Sequence, residues 1–113
     1  MGRILLIEDD GDQRELRQSI LELAGHEVLT ASTPDEALSL LGREPATALL
    51  DLGLPGEEDG MRLLRQLRGS NAAMRIVVVS GWTANLLARD EAKLADRILQ
   101  KPVRTQELLH LLE

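Results

Sequence analysis

Residues 47–60 read TALLDLGLPGEEDG, from Thr47 to Gly60. The stretch starts as an apolar strand, Ala48-Leu49-Leu50, and meets one acid, Asp51, where the apolar run stops. Leu54-Pro55-Gly56 then forces a loop, because Gly and Pro end regular structure. An acid at the end of a buried strand, followed by a loop, stands where open α/β sheets bind ligands. Asp51 is therefore the first candidate functional residue.

The same grammar repeats outward from this stretch. Short β-branched apolar runs alternate with longer segments of 3.6-residue period, the marks of strands and amphipathic helices. Upstream, Arg3–Ile7 is a continuous apolar run, typical of a strand buried on both faces. A helix is expected over Gln13–Ala24, with Leu16, Ile20, Leu21 and Leu23 inward and Gly25 as its stop. Glu27–Ala31 is the second strand. Thr33-Pro34-Asp35-Glu36 carries a capping-box pattern for a second helix ending at Gly42, and Ala46–Leu50 is the third strand. Downstream come a helix over Met61–Arg68, a turn at Gly69-Ser70-Asn71 and a strand over Arg75–Val79. A helix over Asn85–Leu94, a strand over Arg97–Gln100 and a last helix capped by Thr105 complete the chain. Strict alternation of this kind implies α/β architecture, with a parallel sheet, right-handed crossovers and helices on both faces.

Composition bounds the function. At 113 residues the chain is expected to be a single domain, 1–113, large enough for one real core. With no Phe, no Tyr and one Trp, that core must be aliphatic. Cysteine is absent, which removes disulfides and thiolate chemistry and fits a reducing, cytoplasmic setting. The apolar runs are strand-sized, so no membrane span is expected. A net charge of −6 argues against direct contact with nucleic acid. It also means that an anionic substrate has to be met by a cation.

Four strand ends carry polar residues: Glu8-Asp9, Asp51, Ser80 and Lys101. In a parallel sheet these ends share one edge. Any one of them has an ordinary explanation, such as a strand-ending acid, a Ser-Gly turn or a solvated lysine. Their conjunction does not. Two carboxylates about 4 Å apart repel by roughly 4 kcal/mol at an effective dielectric near 20. Protonation, a lysine or a divalent cation must offset that. Oxygen-only ligands suit Mg²⁺ (or Mn²⁺), with Asp9 and Asp51 as direct ligands, Glu8 acting through water and the backbone carbonyl near Gly53 completing the set. Such a site can make Asp51 a phosphoryl acceptor, with Lys101 and the cation neutralising the phosphoryl oxygens and Ser80 donating a hydrogen bond.

These residues resemble the receiver domain of two-component response regulators over essentially the whole chain. The match rests on Glu8-Asp9, on Asp51 with Leu54-Pro55 and Asp59-Gly60, on Ser80 and on Lys101-Pro102. The resemblance implies a flavodoxin-like (βα)5 doubly wound domain with strand order 2-1-3-4-5. It implies that a histidine kinase or phosphotransfer protein phosphorylates Asp51, and that the domain is not otherwise an enzyme. Ser80 would be a switch hydroxyl, and the Lys101-Pro102 bond would be cis. The fourth helix, fifth strand and fifth helix would face a downstream protein, an output domain or a phosphorylation-dependent homodimer partner.

Three features depart from the family pattern. The loop from Asp51 to Asp59-Gly60 is one residue longer than the family's usual spacing, and Glu57-Glu58-Asp59 reads as solvated loop. The position three before the lysine, usually aromatic, is Ile98, so the coupling of switch to output differs. Trp82 stands two residues after Ser80. The alternative function is a non-phosphorylated pseudo-receiver that acts as an interaction module. A phosphohydrolase is disfavoured because Gly53 stands where such enzymes carry a second acid. If the Trp82 indole shields the acyl phosphate from water, Trp82→Ala shortens the lifetime of the phosphoprotein. Decay of the phosphorylated mass, followed over time, tests this, and unchanged or slower decay overturns it.

Overall fold

Strand alternation builds the molecule. The computed structural model describes residues 2–51, 57–81 and 83–112, with only the backbone of residue 57. Five strands, β1 (Arg3–Ile7), β2 (Glu27–Ala31), β3 (Thr47–Asp51), β4 (Arg75–Ser80) and β5 (Arg97–Gln100), form one sheet in the order β2-β1-β3-β4-β5. Every pairing is parallel. The helices are α1 (Gly11–Leu23), α2 (Pro34–Ser39), α3 (Glu57–Ser70), α4 (Thr83–Leu87) and α5 (Thr105–Leu111). Two 3-10 turns, Leu41–Arg43 and Asp90–Leu94, follow α2 and α4. This is the doubly wound α/β fold and strand order expected from the sequence.

Successive side chains of a strand point to opposite faces, so the inner strands feed two cores. Leu5, Ile7, Ala48, Leu50, Ile76 and Val78 pack with Ala37 of α2, Leu63, Leu64 and Leu67 of α3, and Leu86 of α4. Ile4, Leu6, Leu49, Val77, Val79 and Leu99 pack on the other face with Leu21 of α1 and Leu108 and Leu112 at α5. Both cores are aliphatic, as the composition requires.

Asp10 caps α1 by accepting from the N–H groups of Asp12 at 3.0 Å and Gln13 at 3.2 Å. The helix therefore begins at Gly11, two residues before the periodic apolar run. Gly25, with φ 98°, closes it as expected. The Gly25 N–H bonds the Glu22 carbonyl and the His26 N–H bonds the Leu21 carbonyl, a Schellman arrangement. The inward face differs from expectation. Leu21 is buried, but Leu16 is 56% and Leu23 is 89% exposed. At about 100° per residue, the stripe through Leu21 runs back through Arg17 and Arg14. The inner face of α1 thus carries two arginines, and two of the expected apolar contacts face outward.

Other boundaries also move. Thr33 caps α2 by accepting from the Glu36 N–H at 3.2 Å, while the Glu36 carboxylate accepts from the Ser32 hydroxyl instead of closing a capping box. Gly42 does not end this helix. It lies inside the 3-10 turn, and the chain reverses at Glu44, φ 55°. The expected loop Glu57-Glu58-Asp59 is the first turn of α3, where acids favour a helix N-terminus. Gly69 and Ser70 belong to the last turn of the same helix. The expected helix Asn85–Leu94 splits at Arg89, which adopts extended geometry and pairs with Glu58 of α3 at 2.8 Å. Arg104, not Thr105, occupies the cap position of α5, and Thr105 is its first helical residue.

Arg68 ties the end of α3 to the edge of the sheet opposite the strand ends. Its guanidinium donates to the carbonyls of Leu94 (2.8 Å), Ala72 (3.0 Å) and Met74 (2.6 Å), and to the Asp96 carboxylate at 2.8 Å. The Ile76 N–H, first, and Arg68 hold the Asp96 carboxyl below the usual carboxylate range. Arg68→Ala leaves these acceptors without their shared donor and should cost roughly 2–3 kcal/mol of stability. Urea denaturation measures this, and a loss under about 0.5 kcal/mol, the size of a surface substitution, would refute the anchoring role.

Candidate functional site

The strand register brings the predicted residues to one edge. Ile7 pairs with Leu50, so Glu8 and Asp51 follow at the same level on adjacent strands. Gln100 pairs with Ser80, and the Lys101 N–H extends the ladder to the Ser80 carbonyl at 2.9 Å. Alternation then sorts the side chains. Glu8 continues the series Ile4, Leu6; Asp51 follows Leu49; Lys101 follows Leu99. All three emerge on the face covered by α1 and α5. Ser80 continues Ile76 and Val78, on the face of α2, α3 and α4, where half-buried Ile98 also packs.

Asp51 is fully buried. Its Oδ1 is 2.7 Å from Nζ of Lys101, and its Oδ2 is 3.3 Å from a guanidinium nitrogen of Arg17. The same nitrogen lies 3.9 Å from Oε1 of Glu8. Arg14 donates to the Glu8 backbone carbonyl at 2.9 Å and so closes the end of β1. Glu8, Arg17, Asp51 and Lys101 border a crevice of about 830 Å³, together with the exposed Asp9 and with Pro102. The Lys101-Pro102 peptide is cis, as the resemblance implied. Ser80 is buried at the end of β4 and does not line the crevice.

Glu8 is only 3% exposed. Burial, then a hydrogen bond to Asp51 and the like charge of Asp51, push its carboxyl up to about 8, against the Asp10 N–H and Arg17. Two of the offsets expected from the sequence, a protonated acid and a lysine, are therefore both present. The third group, Arg17, was not anticipated. Read by its leucines alone, α1 hides it. The available signal was its position one turn before Leu21, directly after the Glu8-Asp9-Asp10 run.

Among the described residues, no group of three or more His, Asp or Glu side chains is arranged to hold a metal ion. The oxygen donors that line the crevice are Asp9, Asp51 and Glu8, with Asp10 engaged as the α1 cap. Two carboxylates with water suffice for a small hard cation, so this donor set fits Mg²⁺. Gly53 and Trp82, and the loop through Leu54-Pro55-Gly56, lie outside the described residues.

The family model of the response regulator receiver domain matches residues 4–113. The chain belongs to the response regulator receiver family. This receiver domain is 34% identical to the response regulator receiver protein CpdR of Brucella abortus, over all of this chain and 95% of that protein. It is 32% identical to the virulence transcriptional regulatory protein PhoP of Salmonella typhimurium, over 96% of the chain and 49% of that protein. The chain thus spans about half the length of the latter relative. Among solved structures, a CheY-like receiver domain from Methanospirillum hungatei superposes with a TM-score of 0.86 at 29% identity, covering 99% of this chain and 90% of that one. The response regulator TrrA of Thermotoga maritima, solved in complex with Mg²⁺ and BeF, gives 0.87 at 25% identity, covering 99% and 96%. These matches place the domain in two-component signalling. Among the described residues, no helix is long and apolar enough to cross a membrane.

Glu8 binds its proton more tightly folded than unfolded, about 8 against 4.5. The associated stability is fully present below pH 4.5 and is lost as pH rises through 8. In chelator and without divalent cation, Glu8→Gln should therefore raise the melting temperature more at pH 8.5 than at pH 5.5, by at least about 4 °C. Equal shifts at the two pH values would show that Glu8 is not held protonated.

Proposed function

We propose that Asp51 accepts a phosphoryl group from the phosphohistidine of a sensor kinase or phosphotransfer protein, and that residues 1–113 form the receiver domain that does so. One observation carries this reading: a fully buried strand-end carboxylate held by a lysine at 2.7 Å at the head of an acid-lined crevice. Lone buried carboxylates are costly, and such perturbed clusters concentrate at functional sites.

In the transfer, an Asp51 oxygen attacks phosphorus. The P–O bond forms as the P–N bond of the phosphoimidazole breaks, and its electron pair stays on the imidazole nitrogen. Mg²⁺, when bound, supplies positive charge to the phosphoryl oxygens. Asp9 and Asp51 would hold it directly, with Glu8 acting through water and the carbonyl of Gly53 completing the set. Lys101, already on Asp51, pairs with the transferred group. The Ser80 hydroxyl donates to it and draws on the α4 side of the sheet, where Ile98 packs. Ile98 in place of an aromatic side chain makes the change there one of aliphatic packing. Trp82 would shield the acyl phosphate. The downstream side binds a protein or an output domain, or a second receiver domain, and the acidic chain has no direct role with nucleic acid.

Incubation with acetyl phosphate and Mg²⁺, followed by intact mass measurement, tests the reading. The parent should gain one phosphoryl group, Asp51→Asn should gain none, and prior chelation should abolish the gain. If the parent gains none from acetyl phosphate or from a phosphorylated kinase, the domain is a non-phosphorylated interaction module.

A further inference from the structure

Among the described residues that line the crevice, Arg17 is the charged side chain that neither a strand end nor a loop supplies. It comes from the inner face of α1, and its side chain is only 12% exposed. One guanidinium nitrogen lies 3.3 Å from Oδ2 of Asp51 and 3.9 Å from Oε1 of Glu8. Lys101 holds the other Asp51 oxygen, Oδ1, at 2.7 Å. Lys101 and Arg17 thus divide the carboxylate between them, and Arg17 takes the oxygen on the side of the Glu8 acid. Guanidinium is charged at any working pH and is preorganised for carboxylates. It cannot leave the charge of this site by losing a proton.

We propose that Arg17 is a resident counter-ion that the divalent cation must displace from Asp51 and Glu8, so that it sets the cation concentration at which the phosphoacceptor site is loaded. The inference rests on the reading of Asp51 as a metal-assisted phosphoacceptor. Its physical content is competition. A cation binding between these acids meets a fixed positive charge within contact distance, and its gain from Asp51 is reduced by what Arg17 already holds. The metal-free site is correspondingly well compensated. A receiver domain arranged this way stays folded and quiet when divalent cation is scarce.

Calorimetric titration with Mg²⁺ alone, on the unphosphorylated protein, tests this. Arg17→Gln should bind Mg²⁺ at least about tenfold more tightly than the parent, a lower bound because a unit charge at contact range of a divalent cation is worth more than this even when screened as in bulk water. Arg17→Leu, which keeps an apolar side chain beside Leu21, should do the same, and guards against a fold defect particular to glutamine. Arg43→Gln removes the same charge at the opposite edge of the sheet and should leave the affinity within about twofold, because distant exposed charges are screened. Both Arg17 variants should also melt lower in chelator and gain more from added Mg²⁺ than the parent does. Lower melting with unchanged Mg²⁺ affinity makes Arg17 a packing residue and overturns the proposal. The two readings fail separately. A parent that never takes up phosphoryl, with the affinity shift intact, sinks the phosphoacceptor reading and leaves the role of Arg17 standing. A parent that is phosphorylated, with no affinity shift, sinks only the inference.

Discussion

A carboxylate buried at the end of a hydrophobic strand is unstable without a counter-charge, and Asp51 is such a carboxylate. It is wholly shielded from water, one step from Glu8 on the neighbouring strand. Two ionised carboxylates this close in a partly desolvated site repel by several kcal/mol. The molecule answers with three devices: Lys101 from the end of β5, Arg17 from α1, and a proton retained on Glu8. Each belongs to a different segment, and only the closed fold brings them together. The site is therefore a constraint on the whole architecture. The sheet order must bring β1 beside β3, and α1 must lie on the face to which Glu8 and Asp51 point.

The two faces of the sheet divide the labour. On one, α1 and α5 cover the acids, the lysine and the arginine. On the other, Ser80 and Ile98 lie with α3 and α4. The two faces meet at the strand ends, where the Lys101 N–H bonds the Ser80 carbonyl. On that second face α4 is short, and its side-chain hydrogen bond from Thr83 to Gln100 of β5 spans the gap between helix and strand at 3.0 Å. Ion pairs join the following turn to α3, including Arg89 with Glu58. This is a region held by polar contacts at a surface, with less apolar packing than the inner strands, and such regions open at low energetic cost.

Much of this was legible in the residues. The alternation of strand and helix periods, the aliphatic core and the positions of Glu8, Asp9, Asp51, Ser80 and Lys101 at strand ends follow from local pattern. So do Thr33 as a cap and Gly25 as a stop, because caps are short-range chemistry. Apolarity alone points Leu16 and Leu23 inward, but the stripe of α1 that faces the sheet runs through Leu21, Arg17 and Arg14. The acids Glu57-Glu58-Asp59 read as loop because nothing apolar marks them, yet a helix N-terminus favours them. At the break after α4, Arg89 reaches Glu58, a partner 31 residues away that no local window contains.

The sequence by itself determined the class of fold, the chemistry available at one edge of the sheet and the family, because these depend on residue types at spacings of a few positions. The tertiary structure alone decided which charges meet. It put Arg17 on Oδ2 of Asp51, raised the proton affinity of Glu8 by burial beside Asp51 and turned Ser80 to the face opposite the acids. The reason is physical. Electrostatic compensation depends on distance and burial, and neither exists until the strands have paired and the helices have covered them.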